Sequence, residues 1–274
     1  MSTQTVAEQT GVRALPATAA VVVRLPAVEA RQGAASDGTY VYAIDNDRIG
    51  KYRIATGKRV AEWKGDPRLF PHMNSCTVAG RKLVCAASNY PAVPQTSAVE
   101  FFDKATLRHV GTVSLGLGPG SLTAMDRYGG KWWAAFANYA GKGGEAGRDH
   151  RYTLLVRMDD AFRQEAAWTF PPEVLARFAP YSCSGASWSK DGRLFVTGHD
   201  RPEIYEIALP RAGSQLELVR IFAIATPGQA IDWDPRFSGR LWSIDRAKNE
   251  MVASAIPVPH DRLTRRQGGE EVEP

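Results

Sequence analysis

The chain has 274 residues, 44% of them hydrophobic and 9% aromatic, so it carries enough apolar material for a packed core and wholesale disorder is excluded. No stretch approaches the roughly 18 uncharged apolar residues of a membrane span. The 34 basic and 29 acidic residues give a net charge of +5 and are interleaved along the chain, which argues against a nucleic-acid partner. We therefore expect a soluble globular protein with neither a membrane nor a nucleic-acid partner.

The N-terminal segment, residues 1–18, contains Glu8 and Arg13 but lacks the apolar run that a signal peptide needs. We expect this segment to be flexible and the protein to be cytoplasmic, although an exported mature form would have the same composition. An isolated strand pattern, Val21 to Pro26, follows it.

Five repeats then occupy most of the chain. In each repeat, a small or polar residue opens a short strand, a turn follows, and a strongly apolar strand comes next. The repeats start at Gln32, Asn74, Ser121, Ser184 and Gln229. Two further strand patterns complete each of the first four repeats, and the third repeat also contains a Gly-rich insertion, Ala140 to Asp149.

Four strands per repeat predict the blades of an all-β, five-bladed β-propeller. A β-sandwich would not explain this repetition. The last repeat has only three strands, so we expect Val21 to Pro26 to complete the fifth blade and close the ring. The predicted domain spans residues 19–259 and is followed by a flexible tail, residues 260–274. One helix is predicted over Pro172 to Phe178, with proline in its first turn.

Strand direction alternates within a blade. The loop that leads into the first strand of a blade therefore lies on the same face of the ring as the loop between its second and third strands. These loops are polar and rich in aromatic residues, and functional loops usually lie on one side of a rigid scaffold. The loops that join the second and third strands of repeats one and five carry Asp45, Asp47 and Asp245-Arg246. The predicted substrate-binding residues are Gln32, Asn74, Asn89, Tyr90, Asn138, Tyr139, Tyr181, Ser184 and Gln229.

Two histidines, His72 and His199, fall on the same rim. Histidine titrates near neutral pH, and the carboxylates of Asp200 or Glu203 would orient His199 as a general acid or base. These four residues are the predicted catalytic set. If the histidines meet across the channel, they and a carboxylate would bind a divalent metal instead. Turn-capping and packing roles remain the alternative for each rim residue.

The cysteines Cys76 and Cys85 are predicted to face each other across a hairpin with its turn at Gly80-Arg81. They fall at a non-hydrogen-bonded position, where Cα atoms are about 4.5 Å apart, so a disulfide is feasible. In a reducing cytoplasm we expect two packed thiols, and a formed bond would argue for export. Cys183 is predicted to be a small buried residue.

Several runs resemble a family of bacterial propeller proteins related in shape to five-bladed glutaminyl cyclotransferases. The resemblance covers roughly His72 to Pro257. It implies a pocket for a small polar substrate on the loop-rich face, and members of the family carry an export signal that this chain lacks. The cyclotransferases' catalytic glutamate pattern finds no match, so peptide cyclisation is not implied. The runs are Ser88-Asn-Tyr-Pro91, Phe136-Ala-Asn-Tyr139, Phe170-Pro-Pro-Glu-Val-Leu175 with Arg177-Phe178, and Thr197-Gly-His-Asp200 with Pro202-Glu203.

The leading hypothesis is an enzyme that binds a small polar or aromatic molecule at the channel mouth and performs acid/base chemistry of cyclase, lyase or hydrolase type. The alternative is a non-catalytic propeller scaffold for protein or ligand binding. No cofactor motif is evident, a divalent metal stays open, and neither the substrate nor the oligomeric state is predicted.

Overall fold

The computed structural model describes residues 17–257, which form five four-stranded antiparallel sheets arranged as the blades of a propeller. The predicted all-β, five-bladed fold is confirmed. The predictions for residues 1–16 and 258–274 lie outside the described residues. Thr18, at the end of the N-terminal segment, forms a β-bridge with Ala223. Within residues 17–257, no helix is long and apolar enough to span a bilayer.

The first four blades each use four consecutive strands, with the first strand innermost. Blade one comprises β2 (Gly33–Ser36), β3 (Tyr40–Asp45), β4 (Arg48–Arg53) and β5 (Arg59–Lys64). Blade two comprises β6 (His72–Ala79), β7 (Lys82–Ser88), β8 (Thr96–Asp103) and β9 (His109–Leu117). Blade three comprises β10 (Ser121–Tyr128), β11 (Lys131–Ala137), β12 (Leu154–Met158) and β13 (Gln164–Thr169). Blade four comprises β14 (Gly185–Trp188), β15 (Leu194–Thr197), β16 (Glu203–Ala208) and β17 (Glu217–Ala223).

Blade five joins the two ends of the described chain. It contains β18 (Asp232–Trp233), β19 (Arg240–Asp245) and β20 (Glu250–Ala255), with β1 (Ala20–Pro26) as its outermost strand. The β1–β20 register runs antiparallel from Ala20 opposite Ala255 to Pro26 opposite Glu250. The predicted closure by the N-terminal strand is therefore confirmed, and it covers an edge of β20 that would otherwise be open.

Five apolar clusters hold neighbouring blades together, one in each gap of the ring. Trp133 and Trp188, for example, pack with ring centroids 4.8 Å apart between blades three and four. The predicted helix is also confirmed: α1 (Pro172–Phe178) buries Val174, Leu175 and Phe178, which join the same cluster. This packing fixes the orientation of each blade and hence of its loops.

Cys76 and Cys85 face each other across β6 and β7, as the register predicts. They form a disulfide with a Cα–Cα distance of 4.0 Å, so the expectation of two packed thiols is wrong. Antiparallel partners at a non-hydrogen-bonded position approach more closely than others, which allows this bond. Cys183 is a buried free thiol, as predicted.

Two buried carboxylates, Asp126 and Asp232, lie on the inner strands of blades three and five. The Ser187 hydroxyl lies between them, 3.1 Å from Oδ2 of Asp126 and 3.3 Å from Oδ1 of Asp232. The Ser36 amide donates to Asp232, and the Thr77 hydroxyl donates to Asp126. All five blades thus contribute a polar residue to one ring around the channel.

Candidate functional site

The predicted rim is formed by loops from all five blades. Blade two contributes His72 at the start of β6 and Tyr90 after β7, and blade three contributes Tyr139 after β11. Blade four contributes Tyr181 and His199. Since the chain alternates direction within each sheet, these positions all lie at the same end of the channel.

One arc of the mouth consists of three aromatic rings. The centroids of His72 and Tyr90 are 5.0 Å apart, and those of Tyr90 and Tyr139 are also 5.0 Å apart. Tyr139 is 9% exposed, whereas His72 and Tyr90 are half-buried. Such rings form an apolar wall against which a planar ligand can pack.

A second arc centres on His199. The Tyr181 ring stacks on its imidazole at a centroid distance of 4.1 Å. Its Nδ1 atom lies 2.6 Å from the Asp200 carboxylate, and its Nε2 atom lies 3.5 Å from Nη2 of Arg246. With the Nδ1 proton donated to Asp200, Nε2 of the neutral ring carries the lone pair, and it faces Arg246.

The positive charge of Arg246 acts on the pKa of a histidine in each arc. Burial lowers the pKa of His72 to about 4, although a hydrogen bond with Asn74 opposes this, and the charges of Arg246 and His199 lower it further. Burial also lowers the pKa of His199, against the hydrogen bond and charge of Asp200, and Arg246 again lowers it. Both imidazoles are therefore neutral at pH 7, and His72 and His199 are close enough to influence each other.

A cavity of about 400 Å³ opens between blades one and five, and Arg246 in its lining connects it to His199. It contains two arginines that the sequence did not single out as site residues. Arg246 is on the turn between β19 and β20, equivalent in its blade to His199 and Asn138 in theirs, and aligning these repeat positions would have found it. Arg31 immediately precedes the predicted Gln32. The lining residues are Val28, Arg31, Gln32, Asp45, Asn46 and Arg246.

Three predicted amides hold the mouth together through hydrogen bonds to protein. The Asn74 amide donates to the Leu122 carbonyl at 2.8 Å, and the Gln229 amide donates to the His199 carbonyl at 3.2 Å. The Gln32 amide donates to Asn46 Oδ1 at 2.9 Å. Each of these bonds links different loops or strands, so the amides position neighbouring groups of the rim.

Asn138 is buried in blade three. Its amide donates to the Pro119 and Tyr152 carbonyls at 2.9 and 3.1 Å, which ties the loops on either side of Tyr139. Its Oδ1 atom has no hydrogen-bond partner among the described residues. A buried acceptor without a partner is costly, so this oxygen is one group of the region able to accept a bond from a ligand or water.

Three other predicted residues bond to the protein, Asn89 and Glu203 through their side chains and Ser184 through its backbone. The Asn89 amide donates to the Pro94 carbonyl at 2.8 Å and its oxygen accepts from the Thr96 amide at 2.9 Å, the turn-stabilising alternative. Ser184 bonds through its backbone amide to the Thr197 carbonyl. Glu203 accepts two bonds from Arg177, both at 2.9 Å, and one from Tyr205. Asp200 is thus the carboxylate that contacts His199.

The metal alternative finds no support in the ligand geometry. Within residues 17–257, no group of three or more His, Cys, Asp or Glu side chains is arranged to hold a metal ion. The carboxylate of Glu203 is directed to Arg177 and not to the histidines.

No protein-family model and no curated protein matches the chain. Among solved structures, it is similar to a luciferin-regenerating enzyme, with 11% identity, 85% of this chain and 94% of that chain covered, and a TM-score of 0.49. It is also similar to the PQQ-bound aldose sugar dehydrogenase of Streptomyces coelicolor, with 11% identity, coverage of 86% and 95%, and a TM-score of 0.49. Kuenenia stuttgartiensis hydrazine synthase gives 11% identity, coverage of 82% and 83%, and a TM-score of 0.48. Likenesses at this level transfer no activity to the chain.

Proposed function

We propose that the protein is an enzyme that binds a small polar or aromatic molecule at the channel mouth and transfers a proton with His199. The observation that carries this is the arrangement of the imidazole, with Nδ1 2.6 Å from Asp200, one face stacked on Tyr181, and Nε2 3.5 Å from Nη2 of Arg246. A base needs an unprotonated atom, a fixed orientation and access to substrate. The contacts supply the first two, and the 27% exposure of the His199 side chain leaves it open to a ligand.

The lowered pKa of His199 suits a base rather than an acid in the resting enzyme, because the neutral form dominates at pH 7. The rate should rise with pH through a pKa below the ordinary histidine value and then level off. His72, neutral over the same range, is the second group that can exchange a proton, and the tyrosines of the rim form the wall of the pocket. Cyclase, lyase and hydrolase reactions can each use a general base of this kind, and experiment must choose among them.

Relatedness to the propellers that resemble glutaminyl cyclotransferases is part of this proposal. Its support is that the runs carrying the resemblance include Tyr90, Tyr139 and His199, which lie on this mouth. Their shared positions favour a common pocket for a small polar substrate. Fold and motif likeness do not specify the reaction, so the substrate must be identified directly.

The test is a substrate screen followed by His199→Gln. Small polar and aromatic compounds are incubated with the full chain and followed by NMR for chemical change. With a substrate in hand, His199→Gln should lower kcat by about 100-fold or more while substrate binding changes little. His109→Gln is the matched control, since His109 pairs with Glu100 on the outer part of blade two. Equal turnover by His199→Gln and the wild type would refute the proposal.

The second candidate is a non-catalytic platform for a protein partner. Exposed apolar side chains on the loops of the same face favour it: Val28, Leu69, Val93 and Leu117 are 64%, 73%, 55% and 72% exposed. A partner that is retained by the wild type and lost when Leu69 and Val93 are changed to Ser, with no turnover of any small molecule, would establish the platform instead.

A further inference from the structure

Arg246 occupies an unusual position for a cation. It is half-buried at the mouth, and its Nη2 atom faces the Nε2 atom of a neutral histidine at the long distance of 3.5 Å. Its Nε atom is buried and has no hydrogen-bond partner in the described part of the chain. A desolvated guanidinium with unused donors is costly unless something else satisfies it.

A second cation lies next to it. Arg31 also lines the cavity, and the two charges are close enough to repel each other. The Arg31 side chain forms a long hydrogen bond, 3.4 Å to Asn249 Oδ1. Among residues 17–257, neither arginine forms an ion pair: the carboxylate next to Arg246 in sequence, Asp245, is paired with Lys248 and Arg24.

The cavity between these arginines is large enough for a small organic group. Its volume is about 400 Å³, and Arg246 in its lining lies 3.5 Å from Nε2 of His199, the base that the proposed function uses. Asp45 is the acidic residue of the lining, and its Oδ1 accepts from the backbone amide of Asn46 at 2.8 Å. The lining thus carries one carboxylate and two guanidinium groups, and Asp200, whose charge also acts on Arg246, lies outside it.

We propose that the molecule bound at this mouth carries a carboxylate, which Arg246 and Arg31 bind in the cavity while the rest of the molecule packs against Tyr181 and His199. The inference rests on the proposed function, because it names the class of substrate for that site. The planar fork of a guanidinium matches a carboxylate, and the bonds formed are charge-assisted. The negative charge of Asp45 in the same lining disfavours a doubly charged group, so a carboxylate fits better than a phosphate.

The position of the subsite also constrains where the chemistry takes place. Arg246 lies beside Nε2 of His199, so a carboxylate held by Arg246 brings the neighbouring atoms of the substrate to the base. The proton that His199 removes is therefore on an atom near the carboxylate, and not at the far end of a long molecule. Proximity of this kind is a major source of rate enhancement.

The test uses three probes with the full chain: benzoate, its uncharged isostere benzamide, and inorganic phosphate. Binding is followed by NMR titration of the protein. Benzoate should bind at least about 10-fold more tightly than benzamide, which is the ratio that one charge-assisted hydrogen bond provides. Benzoate should also bind more tightly than phosphate. Equal affinities for benzoate and benzamide, preferential binding of phosphate, or no binding of benzoate would overturn the proposal.

Variants identify the subsite. Arg246→Gln and Arg31→Gln should each weaken benzoate binding by about 10-fold and leave benzamide binding unchanged. Arg31 is exposed, so its variant does not disturb the packing. Arg211→Gln removes an exposed arginine from a turn between β16 and β17, at the opposite end of the channel, and should change neither affinity. Wild-type benzoate affinity in both rim variants would place the anion elsewhere and refute the proposal.

The two proposals fail in different ways. If benzoate binds through Arg246 but His199→Gln does not affect any turnover found, the carboxylate subsite stands and the catalytic role of His199 falls. If His199 is required for turnover of an uncharged compound and benzoate does not compete with it, the catalytic role stands and the carboxylate subsite falls.

Discussion

The Nη2 atom of Arg246 lies 3.5 Å from Nε2 of His199, while Nδ1 of the same ring lies 2.6 Å from the Asp200 carboxylate. The imidazole is thus held between a cation from blade five and an anion from its own loop. The two charges act on the pKa of His199 in opposite directions, Arg246 lowering it and Asp200 raising it. Removing one of them at a time separates their effects.

Arg246→Gln should raise the pKa of His199 and also that of His72, because the positive charge of Arg246 disfavours a proton on either ring. NMR titration of the histidine Cε1–H signals measures both values. Arg211→Gln, which removes a distant positive charge, should move neither. Unchanged histidine pKa values in Arg246→Gln would show that the guanidinium does not face the imidazoles in solution.

Asp200→Asn should lower the pKa of His199, since the variant loses the negative charge that stabilises the imidazolium and keeps a similar side-chain shape. The pKa of His72 should change little, because Asp200 does not contribute to it. NMR titration of the histidine Cε1–H signals measures both pKa values. Asp160→Asn is the control, because it removes an exposed carboxylate on blade three. A rise in the pKa of His199 in Asp200→Asn would contradict the assigned contact.

The disulfide makes stability depend on reducing agent. Cys76 and Cys85 are separated by 9 residues in sequence, and closing a loop of that size stabilises a fold by about 2 to 3 kcal/mol in the chain-entropy account. Urea unfolding with and without dithiothreitol should show a loss of this order for the wild type. Cys183→Ala should keep that sensitivity, and Cys76→Ala/Cys85→Ala should lose it. On the argument from the sequence, a bond that forms in the cell would favour export.

The buried acids of the channel predict opposite results for two similar substitutions. Burial raises the pKa of Asp232 well above its usual value, and the charge of Asp126 raises it further. An acid whose folded pKa is raised binds protons more tightly when folded, so its contribution to stability falls as pH rises above about 4. Asp232→Asn should therefore stabilise the protein at pH 7, on the order of 1 to 3 kcal/mol, and the gain should disappear near pH 4.

Asp126→Asn should instead destabilise the protein, because the hydrogen bonds that it loses outweigh the effect of burial, which raises the pKa of Asp126 as well. Each Asp126 oxygen accepts a backbone amide, from Arg127 at 2.7 Å and from Trp188 at 2.6 Å, and asparagine has only one acceptor oxygen. In Asp232→Asn, the side-chain oxygen of the asparagine can accept from the Ser36 backbone amide, and its side-chain NH2 group can donate to the Ser187 hydroxyl, so no donor is left unpaired. Urea unfolding of both variants at pH 4 and pH 7 is the measurement, and equal effects of the two substitutions would contradict this account of the channel.

Ring closure depends on the side chain that β1 inserts into blade five. Leu25 is 9% exposed and packs in a cluster with Trp242 and Met251, whereas Val22 on the same strand is 46% exposed. Leu25→Ala should lower the free energy of unfolding by about 2 to 4 kcal/mol through lost burial and a cavity, and Val22→Ala by less than about 0.5 kcal/mol. Similar values for the two variants in urea unfolding would mean that β1 does not pack as described.

Local patterns in the sequence were sufficient for much of the fold. Hairpin turns and apolar periodicity predicted the five blades, the β1 closure and the Cys76–Cys85 register, because each is set by neighbouring residues or by repetition. The state of the two cysteines was predicted wrongly, since it depends on the redox compartment, which composition does not record. The convergence of His72 and His199 rests on the ring geometry and could be anticipated from it.

The partners of individual rim residues could not be predicted. Glu203 and Asp200 are both near His199 in sequence, but Arg177 of α1 binds Glu203, and that contact comes from tertiary packing. Asn89 and Asn138 occupy equivalent positions in neighbouring blades, yet the first stabilises its own turn and the second joins separate loops. The repeat pattern placed Arg246 on a rim loop, but not among the predicted site residues, since an arginine after a strand is usually a solvated surface residue.

The pairing of Ala20 with Ala255 has a consequence for biosynthesis. On the ribosome, β1 is made before any other strand of the propeller, but its hydrogen-bonding partner β20 is made after all the rest. β1 therefore has no hydrogen-bonding partner until β20 has been synthesised, so the ring can close only after the strands of the other four blades have been made.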